Sequence, residues 1–427
     1  MTPLEENAWL ETTSGMVAVL LLVQFLTGIL LAFYYVPSVD HAYTTVSYIE
    51  KVVSSGSWLR SLHHYGSQWL TLFAFIHVLR LFFTRAYTTN RLQWIVAILI
   101  LGLVMAAGGT GYSLPWDARA FFSTRVAEGL MGGLPLAGGN ARLWLLAGSD
   151  ISTLTLSRFF ALHVIVTPAV IAVVVVWRLF GLNIARLFGP PHAIAAAVVF
   201  LALALWCWHH PAPLGPAADA VTENYLPRPG AQFLWLYQSL KYVPGGLGSF
   251  TGVVLPGVGL LILILLPWLK RARLIGATLL GVCVLLVAGL TTAQYLNDRR
   301  DPATWKQLSR QAAQEQALRN EPFQAASLGA GVTAGETAST EGGPPGLYTK
   351  FCAQCHGSNG QGARQGTINF PPLLDVPIKP HRTVDDIVGL LKDPTAYGLQ
   401  PPMRSFSDKL SEPQMREIAE WIVKLKR

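Results

Sequence analysis

The sequence predicts an all-α fold, in which a bundle of seven transmembrane helices is followed by a small helical domain. Three observations support this prediction: a low content of charged residues, seven long apolar runs, and a change to polar composition after residue 297. Of the 427 residues, 52% are hydrophobic and 13% are charged. Soluble domains carry about 25% charged residues, so most of this chain is expected to lie in a membrane.

Seven apolar runs are long enough to be membrane helices, because about 20 helical residues cross a hydrocarbon core of roughly 30 Å. They cover residues 15–36, 62–84, 92–113, 156–179, 191–208, 248–268 and 273–295. Basic residues follow the second, fourth and sixth runs: Arg80, Arg85, Arg91, Arg178, Arg186, Lys270, Arg271 and Arg273. This pattern is typical of cytoplasmic loops, so the N-terminus is expected inside and the C-terminal domain outside. It also accounts for the net charge of +8 without nucleic-acid binding.

The apolar runs and the segments between them divide the chain into four parts. These are residues 1–190 with four helices, residues 191–296 with three helices, an extramembrane linker at 297–345, and a compact soluble domain at 346–427. Two long connections, 114–155 and 209–247, lie on the outer side in this topology. Outer loops of this length are expected to fold over other parts of the protein.

The C-terminal domain contains Cys352-Ala-Gln-Cys355-His356, the C-x-x-C-H signature of covalent haem attachment. The two thiols are spaced to bond the two vinyl groups of a haem, and the adjacent histidine ligates the iron. A lone C-x-x-C pair is also found in redox dithiols and zinc sites, but His356 argues for haem. The domain resembles a class I cytochrome c, whose haem is attached outside the cytoplasmic membrane, in agreement with the predicted topology.

The second axial ligand of this iron should be a soft thioether or another histidine. Met403 lies in a Pro-bounded loop before the final helix and is the favoured candidate. Met415 lies inside the final amphipathic helix, at a spacing that indicates a packing residue. His381, in a polar turn, is the third candidate, and an open iron without a sixth ligand is the fourth.

Histidines inside transmembrane helices are costly and therefore indicate function. His63 and His77 return to within about 40° of one helix face and are separated by roughly 21 Å along the helix axis. His64 lies about 140° from His77 and does not share that face. His163, on the fourth run, is expected to pair with His63 and hold one haem iron between two imidazoles. A set of unrelated hydrogen-bonded histidines is the competing interpretation.

Residues 1–296 resemble cytochrome b of bc- and bf-type quinol oxidoreductases. The resemblance rests on short segments in the family's order and on a four-plus-three arrangement of helices. The segments are Gln24-Phe-Leu-Thr-Gly28, Gly56-Ser-Trp-Leu-Arg60, His63-His-Tyr-Gly66, His77-Val-Leu-Arg80, Gly111-Tyr-Ser-Leu-Pro-Trp116, Arg158-Phe-Phe-Ala-Leu-His163 and Phe233-Leu-Trp-Leu-Tyr-Gln-Ser-Leu-Lys-Tyr-Val-Pro244. Cytochrome b chains fused to a c-type domain are a bacterial variant of this family.

The resemblance implies two haem levels in the membrane, each with two histidine ligands. His63 and His163 match the outer pair, and Arg60 matches the residue that binds the haem propionates. Gly28 and Gly111 match two glycines that let the haem edge approach the first and third helices. One b haem at the outer level is therefore expected, in addition to one covalent c haem.

The inner level departs from the family. The partner of His77 should lie 14 or 15 residues after His163, where the sequence has Trp177 and Arg178. A guanidinium has no lone pair to offer iron. Ala97 replaces a glycine of the third helix. The residues of the inner site that persist are Ser14, Gly15, His77 and Arg80. A second b haem bound in the family's way is therefore not expected, and His77 becomes either a hydrogen-bonded polar residue or a ligand with an atypical partner.

The quinol-oxidation site of the family departs as well. Its Pro-Glu-Trp-Tyr tetrapeptide aligns with Pro229-Gly-Ala-Gln232. The glutamate accepts a proton from quinol, and Gly230 has no side chain that can do so. Glu223 is the candidate substitute, and an ordinary loop acid is the simpler interpretation, so no catalytic residue is assigned.

These features favour an electron-transfer subunit of a respiratory or photosynthetic-type complex in the bacterial cytoplasmic membrane, without a complete Q cycle. The expected partners are other subunits of the complex, quinone or quinol, a Rieske or other electron-transfer protein, and a cytochrome acceptor. One competing hypothesis is a complete quinol:cytochrome c oxidoreductase working with a Rieske partner. Another is a degenerate membrane anchor for the c domain. No cleavable signal peptide is expected, because the first eleven residues are acidic and lack a basic region.

Overall fold

The computed structural model describes residues 12–179, 190–218, 225–323, 346–356, 360, 363–365, 368–370, 373, 383–397, 405–407 and 410–424. The chain forms two compact units, Met1–Ala330 and Gly331–Arg427. The first unit contains the membrane helices, and the second contains the C-x-x-C-H motif.

Seven helices of the described chain are long and apolar enough to cross a membrane, which confirms the seven predicted spans. The helices of the first unit are α1 (Thr13–Ala32), α2 (Ala42–Lys51), α3 (Gly56–Phe83), α4 (Ala86–Thr89), α5 (Arg91–Tyr112), α6 (Ala118–Gly132), α7 (Gly138–Leu146), α8 (Thr153–Phe160, continued by the π-helical Ala161–Val166 and by Thr167–Leu179), α9 (Pro190–His209), α10 (Leu234–Leu240), α11 (the π-helical Phe250–Val254, continued by Leu255–Leu265), α12 (Ala272–Arg300) and α13 (Pro302–Asn320). The membrane helices are α1, α3, α5, α8, α9, α11 and α12.

Capping side chains determine where several helices begin. Asn90 accepts a hydrogen bond from Gln93 N at 3.1 Å at the start of α5. At the start of α6, one carboxylate oxygen of Asp117 accepts from Ala120 N at 2.9 Å. The other oxygen accepts from Gly215 N at 2.9 Å. Asp117 therefore joins the connection after α5 to the connection after α9.

The core of the membrane unit is centred on Trp94 of α5, which is fully buried. Its indole Nε1 donates to Leu263 O of α11 at 2.7 Å. Its ring lies 5.8 Å from that of Tyr87 and 6.5 Å from that of Phe82, centroid to centroid. Lipid tails are as apolar as leucine, so close packing and buried hydrogen bonds of this kind hold membrane helices together.

One end of the bundle carries the long connections and is called the loop side here. Their described residues are 33–55, 113–152, 210–218 and 225–247. Helix α13 packs onto them: Lys51 Nζ donates to Leu318 O at 2.7 Å, and Gln311 Oε1 accepts from Leu226 N at 3.0 Å. Helix α13, which lies within the segment expected to be a linker, therefore belongs to the first unit.

The second unit is a small helical domain around one buried core. Its described elements are α14 (Gly346–Phe351), α15 (Ala353–His356), the antiparallel pair β1 (Ala363–Gln365) and β2 (Ile368–Phe370), α16 (Val384–Lys392), a 3-10 turn (Pro394–Tyr397) and α17 (Glu412–Lys424). Tyr348 and Ile418 are fully buried, and Met415 is 2% exposed in the same core. Met415 is thus a packing residue, as its spacing in α17 predicts. The all-α fold class is confirmed, with one short β ladder added.

Candidate functional site

His63 and His163 face each other inside the bundle. Their ring centroids are 5.9 Å apart, and the ring planes lie at 85° to each other. His63 belongs to α3, and His163 belongs to the π-helical segment Ala161–Val166 of α8. Such π-helical turns are rare and occur frequently at functional sites. The structure therefore brings together the two histidines that the sequence pairs.

Hydrogen bonds determine which ring nitrogen of each histidine is left for a ligand. The hydroxyl of Thr27 donates to Val23 O at 2.6 Å, so its oxygen accepts from His63 Nδ1 at 2.9 Å. A carbonyl oxygen only accepts, so His163 Nδ1 donates to Ala107 O at 3.0 Å. Both Nδ1 atoms then carry the hydrogen, and both Nε2 atoms keep a lone pair. Metal-binding histidines are commonly oriented in this way.

Two glycines leave space beside the imidazoles. A Cβ added to Gly28 would lie 3.0 Å from His63 Cε1, and a Cβ added to Gly111 would clash with the ring of His163. At Gly109, two residues earlier on α5, an added Cβ would meet nothing within 4 Å. The absence of a side chain is therefore a requirement of the histidine site at position 111, and not of α5 in general.

A cavity of about 250 Å³ surrounds the two imidazoles and extends to the loop-side connections. Its polar lining residues include Arg60, Arg119 and Gln232. Metal–imidazole bonds are about 2 Å long, so two imidazoles on one ion have ring centroids roughly 6 Å apart. The observed separation, the unprotonated Nε2 atoms and the space left by Gly28 and Gly111 fit a haem iron between His63 and His163.

Arg60 lines this cavity, and the family resemblance assigns it to the haem propionates. Its guanidinium also forms hydrogen bonds with other residues of the chain. Its Nε donates to Glu50 Oε2 at 2.6 Å. Its Nη1 donates to Pro213 O at 3.3 Å, and its Nη2 donates to Ala212 O at 2.5 Å. These contacts use three of the five N–H groups of a guanidinium.

Glu50, which sequence reasoning missed, is the buried partner of Arg60. Its side chain is 3% exposed, accepts from Ser57 Oγ at 2.7 Å and lies 3.4 Å from Nη1 of Arg319. Burial raises the pKa of Glu50, but Arg60, Ser57 and Arg319 together hold that pKa below its ordinary value. Glu50 is therefore ionised at neutral pH. No local motif marks this residue, because its partners lie on other elements.

At the inner level, His77 has a threonine partner, as His63 has at the outer level. Thr13 Oγ1 lies 2.8 Å from His77 Nδ1, and His77 is 9% exposed. Trp177, one of the two positions where the second ligand is expected, is 49% exposed. The side chain of Arg178, the other position, lies outside the described residues.

The remaining inner-site residues occupy different surroundings. Gly15 of α1 packs against α9, where its added Cβ would lie 3.2 Å from Cβ of His192. Ala97 is buried in α5 at 6% exposure, and Arg80 lies in the last turn of α3. Gly15 therefore serves a contact between α1 and α9, which its sequence neighbourhood did not indicate.

The segment aligned with the quinol-site tetrapeptide contributes Gln232 to the cavity. A Cβ on Gly230 would lie 3.5 Å from the ring of Tyr112 and 3.4 Å from Gln232 Oε1. The hydroxyl of Tyr112 donates to Arg228 O at 3.2 Å. Glu223, the candidate proton acceptor, lies outside the described residues. Sequence reasoning named Gln232 only as part of the tetrapeptide and did not place it in the cavity.

The C-x-x-C-H motif occupies one turn of helix at the start of the second unit. Cys352 is 8% exposed, and His356 N donates to Cys352 O at 2.9 Å. Cys355 belongs to α15, but its side chain lies outside the described residues, as do Met403 and His381 altogether. A turn of helix that presents a buried cysteine and the following histidine fits covalent haem attachment.

A membrane bundle with a paired-imidazole site, joined to a small C-x-x-C-H domain, defines a membrane-bound haem protein of electron transport. The profile of the cytochrome b/b6/petB family matches residues 6–185, and the cytochrome c profile matches residues 345–426. The chain belongs to the cytochrome b family and carries a cytochrome c domain at its C-terminal end. These two domains imply haem b and haem c, respectively.

Individual relatives agree with this assignment. The menaquinol:cytochrome c reductase cytochrome b subunit of Bacillus subtilis (strain 168) is 37% identical over 182 residues, which cover 42% of this chain and 78% of the relative. Cytochrome b of Rickettsia prowazekii (strain Madrid E) is 30% identical over 299 residues, covering 64% of this chain and 74% of the relative. The solved structure "Hyperthermophilic respiratory Complex III" matches with a TM-score of 0.54 and 21% identity, over 73% of this chain and 89% of that chain, and shows the same fold.

Proposed function

We propose that this chain relays electrons through one b haem, held by His63 and His163, and one c haem, attached to Cys352 and Cys355. It acts as a subunit of a larger membrane redox complex and does not complete a Q cycle. The electron donor is a partner protein or the quinone pool, and the acceptor is a cytochrome.

The difference between the two histidine levels is the observation that carries this proposal. At the loop side, His63 has a second imidazole 5.9 Å away, centroid to centroid. At the other level, His77 has Thr13 as a hydrogen-bond partner, and Trp177 at a predicted ligand position is half exposed. One bis-histidine site therefore supports one b haem, with His77 as a hydrogen-bonded polar residue.

A bound haem supplies reversible one-electron chemistry at its iron. The chain supplies the geometry around it. Thr27 and Ala107 hold the two imidazole rings, so that Nε2 of His63 and Nε2 of His163 are the nitrogens available to the metal. Hydrogen bonds that fix ligands in this way tune the potential of a haem.

In the second unit, we propose thioether bonds from Cys352 and Cys355 and iron ligation by His356 and Met403. The backbone supports the first three roles, since Cys352 and His356 lie one helical turn apart. The burial of Met415 in the domain core supports Met403, because a fully packed thioether is not available to iron. His381 and an open iron are the outcomes that would replace Met403.

The absence of a complete Q cycle is proposed from the cavity near Gly230. Quinol oxidation needs a proton acceptor at the quinol. Asp117 is a carboxylate among the described cavity residues, and both of its oxygens accept from backbone N–H groups. Tyr112 and Gln232 are neutral groups. Glu223 is the remaining candidate acceptor in the segment after α9.

The location and domain boundaries are part of the same proposal. The N-terminus lies in the cytoplasm, and the cytochrome c domain lies on the outer side of the bacterial cytoplasmic membrane. The membrane part comprises residues 1–190 and 191–296, followed by residues 297–345 and the domain 346–427. Basic residues cluster after the second, fourth and sixth spans, and this clustering supports the orientation. Rieske or other electron-transfer proteins are the proposed partners.

Haem stoichiometry tests the proposal directly. Pyridine haemochrome spectra of the purified protein are expected to give a b:c ratio near one. A ratio near two would support a complete quinol:cytochrome c oxidoreductase instead, and a ratio near zero a degenerate anchor for the c domain. The covalent c haem serves as the internal standard, because it survives extraction that removes haem b.

A further inference from the structure

A second arginine lies at the loop-side end of the histidine cavity. Arg119, near the start of α6, lines the cavity together with Arg60. Its Nη2 donates to Glu315 Oε1 of α13. Both side chains are largely buried, at 25% exposure for Arg119 and 11% for Glu315. Each of the two cavity arginines thus forms an ion pair with a buried carboxylate: Arg60 with Glu50, and Arg119 with Glu315.

Helix α13 holds Glu315 in place through contacts on both sides of it. Four residues before Glu315, the amide of Gln311 bonds both backbone groups of Leu226, at 3.0 Å and 3.2 Å. Four residues after it, Arg319 donates to Ala212 O at 3.0 Å. These contacts fix the position of α13, and therefore the backbone of Glu315, at the loop side.

Among the described residues, Glu315 is the acidic group paired directly with Arg119. Both oxygens of the neighbouring Asp117 are bound to backbone N–H groups. Burial raises the pKa of Tyr225, which lies beside Arg119, to about 12, so this phenol is neutral. The ion pair with Glu315 thus offsets part of the positive charge of Arg119 at the cavity.

We infer that Arg119 is a second guanidinium facing the propionates of the b haem, and that Glu315 of α13 lowers the potential of this haem by offsetting the charge of Arg119. The inference rests on the b haem of the proposed function. Reduction adds one negative charge to the haem, so a nearby positive charge favours the reduced form and a negative charge opposes it. Low local dielectric strengthens both effects.

The test is a redox titration of the full chain, followed by the b and c absorbance bands in the same sample. Glu315→Gln is expected to raise the b-haem midpoint potential, and Arg119→Gln to lower it. Each change should be at least about threefold in the equilibrium constant, or about 28 mV at 59 mV per tenfold change. The double variant should fall between the single variants. Burial raises the pKa of Glu315 above its ordinary value, although the charge of Arg119 opposes this rise, so the titration is made at pH 8 to favour the carboxylate.

Matched controls carry the same charge changes at exposed positions of α13 and its C-cap. Glu321→Gln and Arg310→Gln replace exposed residues and should leave the b-haem potential unchanged. The c-haem potential is the internal reference and should not move in any variant. A purely structural role would change b-haem content without shifts of opposite sign.

The outcomes separate this inference from the proposed function. A wild-type protein without b haem overturns both. Normal b-haem content with equal potentials in the wild type and both single variants overturns only the role of Arg119 and Glu315. Shifts of the same sign in both variants also overturn it, because a charge effect must reverse with the sign of the charge removed.

Discussion

The hydroxyl oxygen of Thr13 lies 2.8 Å from Nδ1 of His77, and it repeats a contact made fourteen residues along both helices. There, Thr27 Oγ1 lies 2.9 Å from Nδ1 of His63. Helices α1 and α3 therefore present the same threonine–histidine pair at two depths of the bundle. At the loop side this pair meets a second imidazole, because α8 supplies His163 there.

The ligand assignment predicts that His63→Ala and His163→Ala each abolish the b-type absorbance and leave the c band intact. Removal of one imidazole leaves the iron with a single protein ligand. Haem spectra of purified variants measure this outcome, and His64→Ala is the control on the adjacent position. Loss of haem b from His64→Ala but not from His63→Ala would contradict the assignment of the helix face.

The close approach of Gly111 to the ring of His163 predicts a specific steric effect. Gly111→Ala should strongly reduce b-haem content, because the new Cβ would clash with the ring of His163. Gly109→Ala adds the same atom to the same helix where nothing lies within 4 Å, and should leave haem content unchanged. The b:c ratio measures both. Equal ratios in the two variants would show that the site at Gly111 tolerates a side chain.

Met403→Ala is expected to remove the weak far-red absorbance band of an oxidised His/Met haem and to lower the midpoint potential of the c haem. Loss of a thioether ligand favours the oxidised iron. The buried Met415 is the natural comparison, and Met415→Leu should keep the band because leucine preserves the packing volume. A band that persists in Met403→Ala would transfer the ligand role to another group.

Glu50→Gln is expected to destabilise the loop side of the membrane unit, by about 3 kcal/mol, because Arg60 and Arg319 lose their buried counter-charge. The pKa of Glu50 is lowered from 4.5 in the folded chain, so its stabilising contribution is present above that value. It is lost as the pH falls through the folded-state pKa. Thermal loss of the b-haem absorbance between pH 7 and pH 3 measures this effect. The exposed Glu321→Gln is the control, and an acid sensitivity unchanged in Glu50→Gln would refute the prediction.

The proposed function predicts that the purified protein does not catalyse quinol:cytochrome c reduction of the antimycin-inhibitable type. Gly230 offers no proton acceptor, and the two histidine levels are roughly 21 Å apart by helical rise, too far for efficient transfer without an inner haem. Gly230→Glu alone should not restore turnover, since the inner relay is still absent.

Steady-state quinol oxidation in proteoliposomes, with proton release followed in parallel, is the decisive measurement for that prediction. About two b haems per c haem, together with proton release coupled to quinol oxidation, would replace the relay by the complete reductase.

Features that depend on contiguous residues can be predicted from the sequence. Seven apolar runs predict seven membrane helices, because the length of a helical span is fixed by the thickness of the bilayer. The C-x-x-C-H motif is local, since its three functional residues lie within one helical turn. The spacing of His63 and His77 likewise follows from the helix period alone.

The contacts between distant side chains could not be predicted in this way and were found in the folded structure. It placed a π-helical turn at His163, joined Glu50 to Arg60, and paired Arg119 with Glu315, 196 residues away in the chain. In the folded chain Gly15 packs against His192, whereas the family resemblance assigns that glycine to the inner haem site. Such contacts depend on how helices pack and on which loops cover their ends. Helix periodicity is set by backbone geometry within one segment, whereas a buried ion pair needs two segments whose relative position no local pattern encodes.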